Sequence, residues 1–150
     1  MIIRRYSGED IEKMLEHIEN ALSVTQFRDI EFSRPKMRRL LESNINNSQF
    51  FAALAFNDDG EIIGGICGMV LQFIFSFEAI AVDQFFYVTP SNRKLRVATE
   101  LVAAYVKWAK QRRVRRIQLS NSMGVEVERF AQLAVKLGFE QMGTIHQMRF

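Results

Sequence analysis

Cysteine is nearly absent from this sequence: Cys67 is the only one in 150 residues. That excludes an internal disulfide and a cysteine-rich zinc site. Histidine is almost as scarce. His17 reads as the polar side of a first helix and His146 as part of a last strand, and two separated histidines do not make a metal site. Long hydrophobic runs are missing too. The longest uncharged stretch, Ile62 to Phe77, has 16 residues and is broken by Gly64, Gly65 and Gly68. A bilayer span needs about 20 apolar residues, so this stretch is expected to be a buried strand. Met1-Ile2-Ile3-Arg4-Arg5 shows neither the apolar run nor the cleavage site of a signal peptide. The expectation is a cytoplasmic, reduced protein with no membrane partner. There is no linker, repeat or low-complexity tract. What is there is ordinary for a globular domain, 48% hydrophobic and 25% charged. The length predicts one domain that buries roughly 70% of its unfolded surface.

The charge is unevenly placed. Arg93 to Arg116 holds nine basic residues and one acid, Glu100, which leaves −5 for the remainder of a chain whose total is +3. That segment attracts polyanions. It reads as a solvated helix face with a basic turn, or as a site for the phosphates of a cofactor or a nucleic acid. For Arg112-Arg113-Val114-Arg115-Arg116 the solvated turn is preferred, since no nucleic-acid-binding motif accompanies it.

Periodicity gives the element order β α α β β β α β α β. Ile2 to Tyr6 is β-prone. Ser7 and Asp10 form a capping box ahead of a helix with Ile11, Met14, Leu15, Ile18 and Leu22 on one stripe. A second helix starts near Ser33 with Pro35 in its first turn. Strands Phe50–Phe56 and Glu61–Val70 flank the turn Asn57-Asp58-Asp59-Gly60. Ala79–Thr89 is the next strand and Leu95–Gln111 the longest helix, with Val97, Leu101, Tyr105 and Trp108 inward. Then come a strand Val114–Leu119 and a helix Val125–Leu137, buried through Val127, Phe130, Ala131 and Ala134 and stopped by Gly138. A strand Thr144–Phe150 closes the chain. A hairpin followed by β-α-β-α-β implies an α/β protein, with a central mixed sheet flanked by about four helices on both faces.

The most informative stretch is Phe85-Phe86-Tyr87-Val88-Thr89-Pro90, continuing Ser91-Asn92-Arg93-Lys94-Leu95-Arg96-Val97-Ala98. A buried strand ends at a proline turn, and a loop then feeds a long helix whose N-terminus favours anions. This resembles the acetyl-CoA-binding core of the GNAT superfamily of N-acetyltransferases, with its V-x-P followed by Q/R-x-x-G-x-G/A. Val88-Thr89-Pro90 matches the first part, and Arg93 and Ala98 match the ends of the second. Lys136-Leu137-Gly138-Phe139-Glu140 with Gly143 resembles the family's ending. Phe85-Phe86-Tyr87-Val88 and Met123-Gly124-Val125 are most similar to small phage and bacterial acetyltransferases. The resemblance implies an acyl-CoA N-acyltransferase fold over the whole chain. It also implies acetyl-CoA as cosubstrate and a small-molecule or peptide amine as acceptor. Phe86, Tyr87 and Val88 would pair with the pantetheine arm, and Arg93, Lys94, Leu95, Arg96, Val97 and Ala98 would wrap the diphosphate. The acyl group would lie where the Ala79–Thr89 and Val114–Leu119 strands splay. The loop departs from the family in lacking glycine: Lys94, Leu95 and Arg96 stand there, side chains that either crowd the phosphates or pair with them. Ala134, four residues before Gly138, stands where a tyrosine often protonates the leaving thiolate.

Asp83 is the base candidate: a carboxylate desolvated in a cleft can accept an amine proton. Its alternative is an acid at the solvent-facing start of a strand. Glu78 is a weaker candidate in a turn. Ser120, Asn121 and Ser122 are either polar contacts or turn formers. Cys67 reads as a buried, inert thiol. Phe73, Phe75 and Phe77 read as a pocket wall or an interface edge that would permit a homodimer. Beside the enzyme stands a second reading, a catalytically inactive module of the same fold that contacts nucleic acid through its basic patch.

Overall fold

A computed structural model describes residues 1–93, 95–121 and 123–150, with Leu95 described by its backbone alone. Lys94 and Ser122 lie outside the described residues. The elements are β1 (Ile2–Arg5), α1 (Ile11–Ser23), α2 (Arg34–Asn44), β2 (Phe50–Phe56), β3 (Ile62–Gln72), β4 (Ala79–Val88), α3 (Leu95–Gln111), β5 (Arg116–Ile117) and α4 (Val127–Lys136). The strands form one sheet in chain order, antiparallel from β1 to β4 and parallel between β4 and β5. The expected mixed sheet is therefore observed. Among the described residues no helix is long and apolar enough to cross a membrane.

β2 shows why helices cover both faces. All seven of its residues are buried, and successive side chains point to opposite sides. Phe51, Ala53 and Ala55 face α3, joining Val97, Leu101, Tyr105, Trp108 and Ala109. Phe50, Ala52, Leu54 and Phe56 face α1 and α2, joining Ile11, Met14, Leu15 and Leu41. The Phe51 and Trp108 rings stack at 5.2 Å, and the indole N–H donates to Ser48 O at 3.2 Å. Tyr105 crosses β3 where a side chain would collide with it: a Cβ on Gly68 would lie 2.6 Å from the Tyr105 ring and 2.8 Å from Val82 O. The Tyr105 hydroxyl then donates to Gln118 O at 3.1 Å, fixing the chain just past β5.

The Ser7–Asp10 box forms, but it opens one turn of 3-10 helix (Gly8–Asp10) ahead of α1. Asp10 Oδ2 accepts from Ser7 N at 2.7 Å and Ser7 Oγ at 3.0 Å, while Arg4 binds both carboxylate oxygens at 2.7 and 2.8 Å.

Four expectations need correction. The strand expected over Val114–Leu119 shrinks to Arg116–Ile117, prolonged by Arg115 N→Ala79 O (3.0 Å) and Gln118 N→Ala81 O (2.8 Å). Thr144–Phe150 forms no strand. A strand needs a neighbour to supply its ladder, and two-residue β5 offers almost none. Instead Arg149 pins the tail to Gln26 O at 2.8 Å and Asp29 at 3.4 Å. α4 is rotated from the expected stripe: Leu133 is its buried residue, with Phe130 and Ala134 half-buried, and Val127 and Ala131 exposed. Phe130, Leu133, Ala134 and Leu137 keep helical spacing, while Val127, one turn before Phe130, is the exposed first residue of the helix. Gly138, at φ 86°, ends α4 as expected; its N–H reaches Val135 O and that of Phe139 reaches Ala134 O, both at 3.0 Å. Finally, His17 is not on a polar face. It is half-buried edge-on to Tyr87 at 5.8 Å, because α1 crosses β4 there.

Candidate functional site

β4 and β5 part at Asp83. Up to Ala81 they are joined through main-chain bonds, the last being Gln118 N→Ala81 O. One step further, Ser120 N meets a side chain instead: it donates to Asp83 Oδ1 at 2.8 Å, and Ser120 Oγ donates to Asp83 Oδ2 at 2.9 Å. The parting coincides with a bulge in β4. Asp83 lies opposite Gly68 and Phe85 opposite Cys67, so Gln84 is an extra residue. A bulge bends and overtwists its strand, which carries the end of β4 away from β5.

Beyond the bulge, β4 keeps its bonds to β3 while its other edge faces a cleft. Thr89 N donates to Ile63 O at 3.0 Å, so alternation turns the main-chain groups of Val88 and Phe86 away from β3. The cleft has a volume of about 230 Å³. Phe86, Tyr87 and Val88 form one wall, Arg93 and Ala98 the mouth of α3, and Phe130, Leu133 and Lys136 of α4 the other wall. Phe86 meets Phe130 at 5.9 Å between ring centroids.

Five of the ten sequence-expected site residues therefore come together: Phe86, Tyr87, Val88, Arg93 and Ala98. The side chains of Arg96 and Val97 do not join them. Arg96 turns outward and pairs with Glu100 at 2.7 Å. Val97 packs into the core below α3. Both still belong to the first turn of α3, where the main-chain N–H groups of Leu95, Arg96 and Val97 have no intrahelical acceptor. Lys94 and the side chain of Leu95 lie outside the described residues; of the three bulky side chains expected either to crowd the phosphates or to pair with them, Arg96 points away from the cleft.

Arg93 is tightly held. Its Nε donates to Val88 O at 3.1 Å, its guanidinium lies 5.7 Å from the centre of the Tyr87 ring, and its Nη1 reaches Glu126 at 3.4 Å. Arg129 reaches the same Glu126 at 3.2 Å and donates to Arg93 O at 2.8 Å. The sequence reading missed Arg129, Gln132 and Lys136 of α4. Their spacing of three, then four, puts them on one helical face beside Leu133, and that was the available signal.

Asp83 is only 4% exposed and is not in the cleft lining. Burial pushes its carboxyl up to about 6, and the two Ser120 bonds, which favour the charged form, oppose the rise. Cys67 is half-buried, and desolvation of its thiol pushes it up to about 12, so it stays protonated near pH 7. Desolvation holds His17 down at about 4, so its ring is neutral near pH 7, with Nε2 buried and without a hydrogen-bond partner among the described residues. Phe75 and Phe77 are not in the lining of this cleft; they are exposed at the β3–β4 turn.

Solved structures share this architecture. One is described as a probable acetyltransferase, 18% identical, with a TM-score of 0.74 over 100% of this chain and 98% of that one. Another is an aminoglycoside acetyltransferase from an uncultured soil metagenomic sample, in complex with sisomicin; it is 19% identical, with a TM-score of 0.71 over 99% and 96% of the two chains. A third is a ribosomal-protein-alanine N-acetyltransferase from Brucella melitensis biovar Abortus 2308, 15% identical, with a TM-score of 0.71 over 100% of both chains. At these identities the likeness is one of fold. No curated protein sequence matches the chain. The sequence profile of the acetyltransferase (GNAT) family, in contrast, matches residues 13–139, and with that span the chain belongs to the acetyltransferase (GNAT) family.

Proposed function

We infer that the protein transfers an acetyl group from acetyl-CoA to the amine of a small molecule or peptide. The observation behind this reading is the parting of β4 from β5 at Asp83, which leaves an unshared strand edge facing a cleft with cations at its mouth. The residues suit the cosubstrate. Phe86 offers main-chain groups to a pantetheine arm, apolar Phe130 and Leu133 cover it, and the first amides of α3 with Arg93, Arg129 and Lys136 suit phosphates. Acetyl-CoA, when bound, would supply an activated thioester.

The chain's own part is positioning and proton handling. The strand edge and the apolar walls orient the acyl carbonyl and exclude water. Asp83, which lies outside the cleft lining, would take through a bridging water the proton that the amine nitrogen loses as its bond to carbon forms. Ala134 offers no proton donor on α4, so a departing CoA thiolate would have to take its proton from solvent. The test is calorimetric titration with acetyl-CoA, followed by an assay of thiol release with an aminoglycoside, a polyamine and a peptide with N-terminal alanine. Absence of heat and of thermal shift at millimolar acetyl-CoA would reject the reading.

Two observations favour a second reading, a binding module without turnover: Arg93 already occupies Val88 O, and α4 lacks the acid. It expects no thiol release with any amine, and any nucleic-acid contact through Arg112 to Arg116 would be steeply salt-dependent.

A further inference from the structure

We propose that Glu126 is a built-in competitor of phosphate in the cleft and sets how tightly this chain holds phosphate-bearing donors. The inference rests on the cleft being the acetyl-CoA site and adds a selectivity residue to it.

Glu126 is the one acid among the described residues that line the cleft, against Arg93, Arg129 and Lys136. Both arginines spend a guanidinium nitrogen on it, at 3.4 and 3.2 Å. Its place is fixed by the main chain: it holds a left-handed φ of 45° at the start of α4, and its carbonyl accepts Phe130 N–H at 2.9 Å. Arg93 is fixed as well, by Val88 O on one side and Arg129 on the other. The carboxylate is therefore held where an incoming anion would meet the two guanidiniums.

The pairing is also easy to exchange. Glu126 and Arg129 side chains are 39% and 58% exposed, a regime in which an ion pair contributes little. A diphosphate has more charge and more acceptor oxygens than a carboxylate, so it displaces Glu126 from the guanidiniums. Glu126 then remains beside the phosphates as a like charge and lowers the affinity. A ligand without phosphate meets no such opposition. A purely structural role, in which Glu126 only fastens α4 to the start of α3, implies the reverse: its loss would loosen the cleft for every ligand.

The experiment is calorimetric titration of the full chain and of the Glu126→Gln and Arg129→Gln variants with CoA, inorganic pyrophosphate and pantetheine. Glu126→Gln is expected to bind CoA and pyrophosphate about fivefold more tightly, and Arg129→Gln more weakly by a similar factor. Pantetheine affinity stays the same in both. CoA affinity that is unchanged or weaker in Glu126→Gln overturns the proposal while leaving the acetyl-CoA site standing. No CoA binding, with pyrophosphate still tightened by Glu126→Gln, removes the acetyl-CoA reading and keeps Glu126 as the competitor. If Glu126→Gln does not fold, Arg129→Gln decides: a loss for CoA equal to that for pantetheine overturns the proposal.

Discussion

Asp83 grips Ser120 with both carboxylate oxygens, one on the main-chain N–H at 2.8 Å and one on the hydroxyl at 2.9 Å. That pair stands where a further rung of the β4–β5 ladder would be. It closes the sheet below and leaves the cleft open above. The same two residues set the pH response expected of the proposed reaction.

Burial raises the Asp83 carboxyl to about 6, so its proton-accepting form grows as pH rises through that value. An acid limb near pH 6 is expected in the rate of acetyl transfer. Ser120→Ala removes a bond that favours the carboxylate, so the limb moves to higher pH. A limb that stays in place would assign it to another group. The shift also acts on folding. The folded value lies above the ordinary one, so this group's contribution is most favourable below about pH 4 and declines as pH rises toward 6.

Asp10 shows the opposite sign. Its bonds with Arg4, aided by Ser7, hold its carboxyl down at about 2 despite burial. Asp10→Asn is expected to destabilise the fold by about 1–2 kcal/mol at neutral pH, since charge-assisted bonds are replaced by weaker ones. The contribution is complete above about pH 4 and is lost as pH falls toward 2. Urea unfolding of both forms at pH 7 and pH 2.5 checks this: the gap between them narrows at the lower pH.

Gly68→Ala places a methyl group against the Tyr105 ring and Val82 O, and the carbonyl cannot yield without disturbing β4. A loss of about 1–3 kcal/mol is expected in denaturant unfolding. Tyr105 also holds Gln118 O, so acetyl transfer should fall along with stability.

Arg93→Glu reverses the charge at the mouth of α3 and sets two acids, at 93 and 126, face to face. CoA affinity is expected to drop at least about tenfold, read by calorimetry on a variant whose thermal unfolding is checked in parallel. Arg96→Ala is expected to leave it nearly unchanged, because that side chain is 78% exposed and paired with Glu100.

Much of this was legible in the sequence, and unevenly. The unbroken apolar run Phe50–Phe56, the Ser7–Asp10 box and the stripe Val97-Leu101-Tyr105-Trp108 are local patterns, and each of them is found in the structure. Phe86 to Val88 and Arg93 could be placed because a strand, a proline corner and a helix start are adjacent along the chain. The α4 wall could not. Arg129 and Lys136 reach the cleft only after α4 docks across it, a long-range contact with no local sign beyond helical spacing. The tail failed for a related reason. Thr144–Phe150 has strand-like residues, but strand formation depends on a partner edge, and β5 is two residues long. The role of Asp83 at the fork depends on a one-residue bulge at Gln84 that alternation alone does not reveal.

A crystal of the protein grown or soaked with acetyl-CoA tests the central claim most directly. The diphosphate is expected at the first amides of α3 within reach of Arg93 and Arg129, and the pantetheine arm beside Phe86 between β4 and α4. An empty cleft at millimolar acetyl-CoA, or the cosubstrate bound elsewhere, would contradict it.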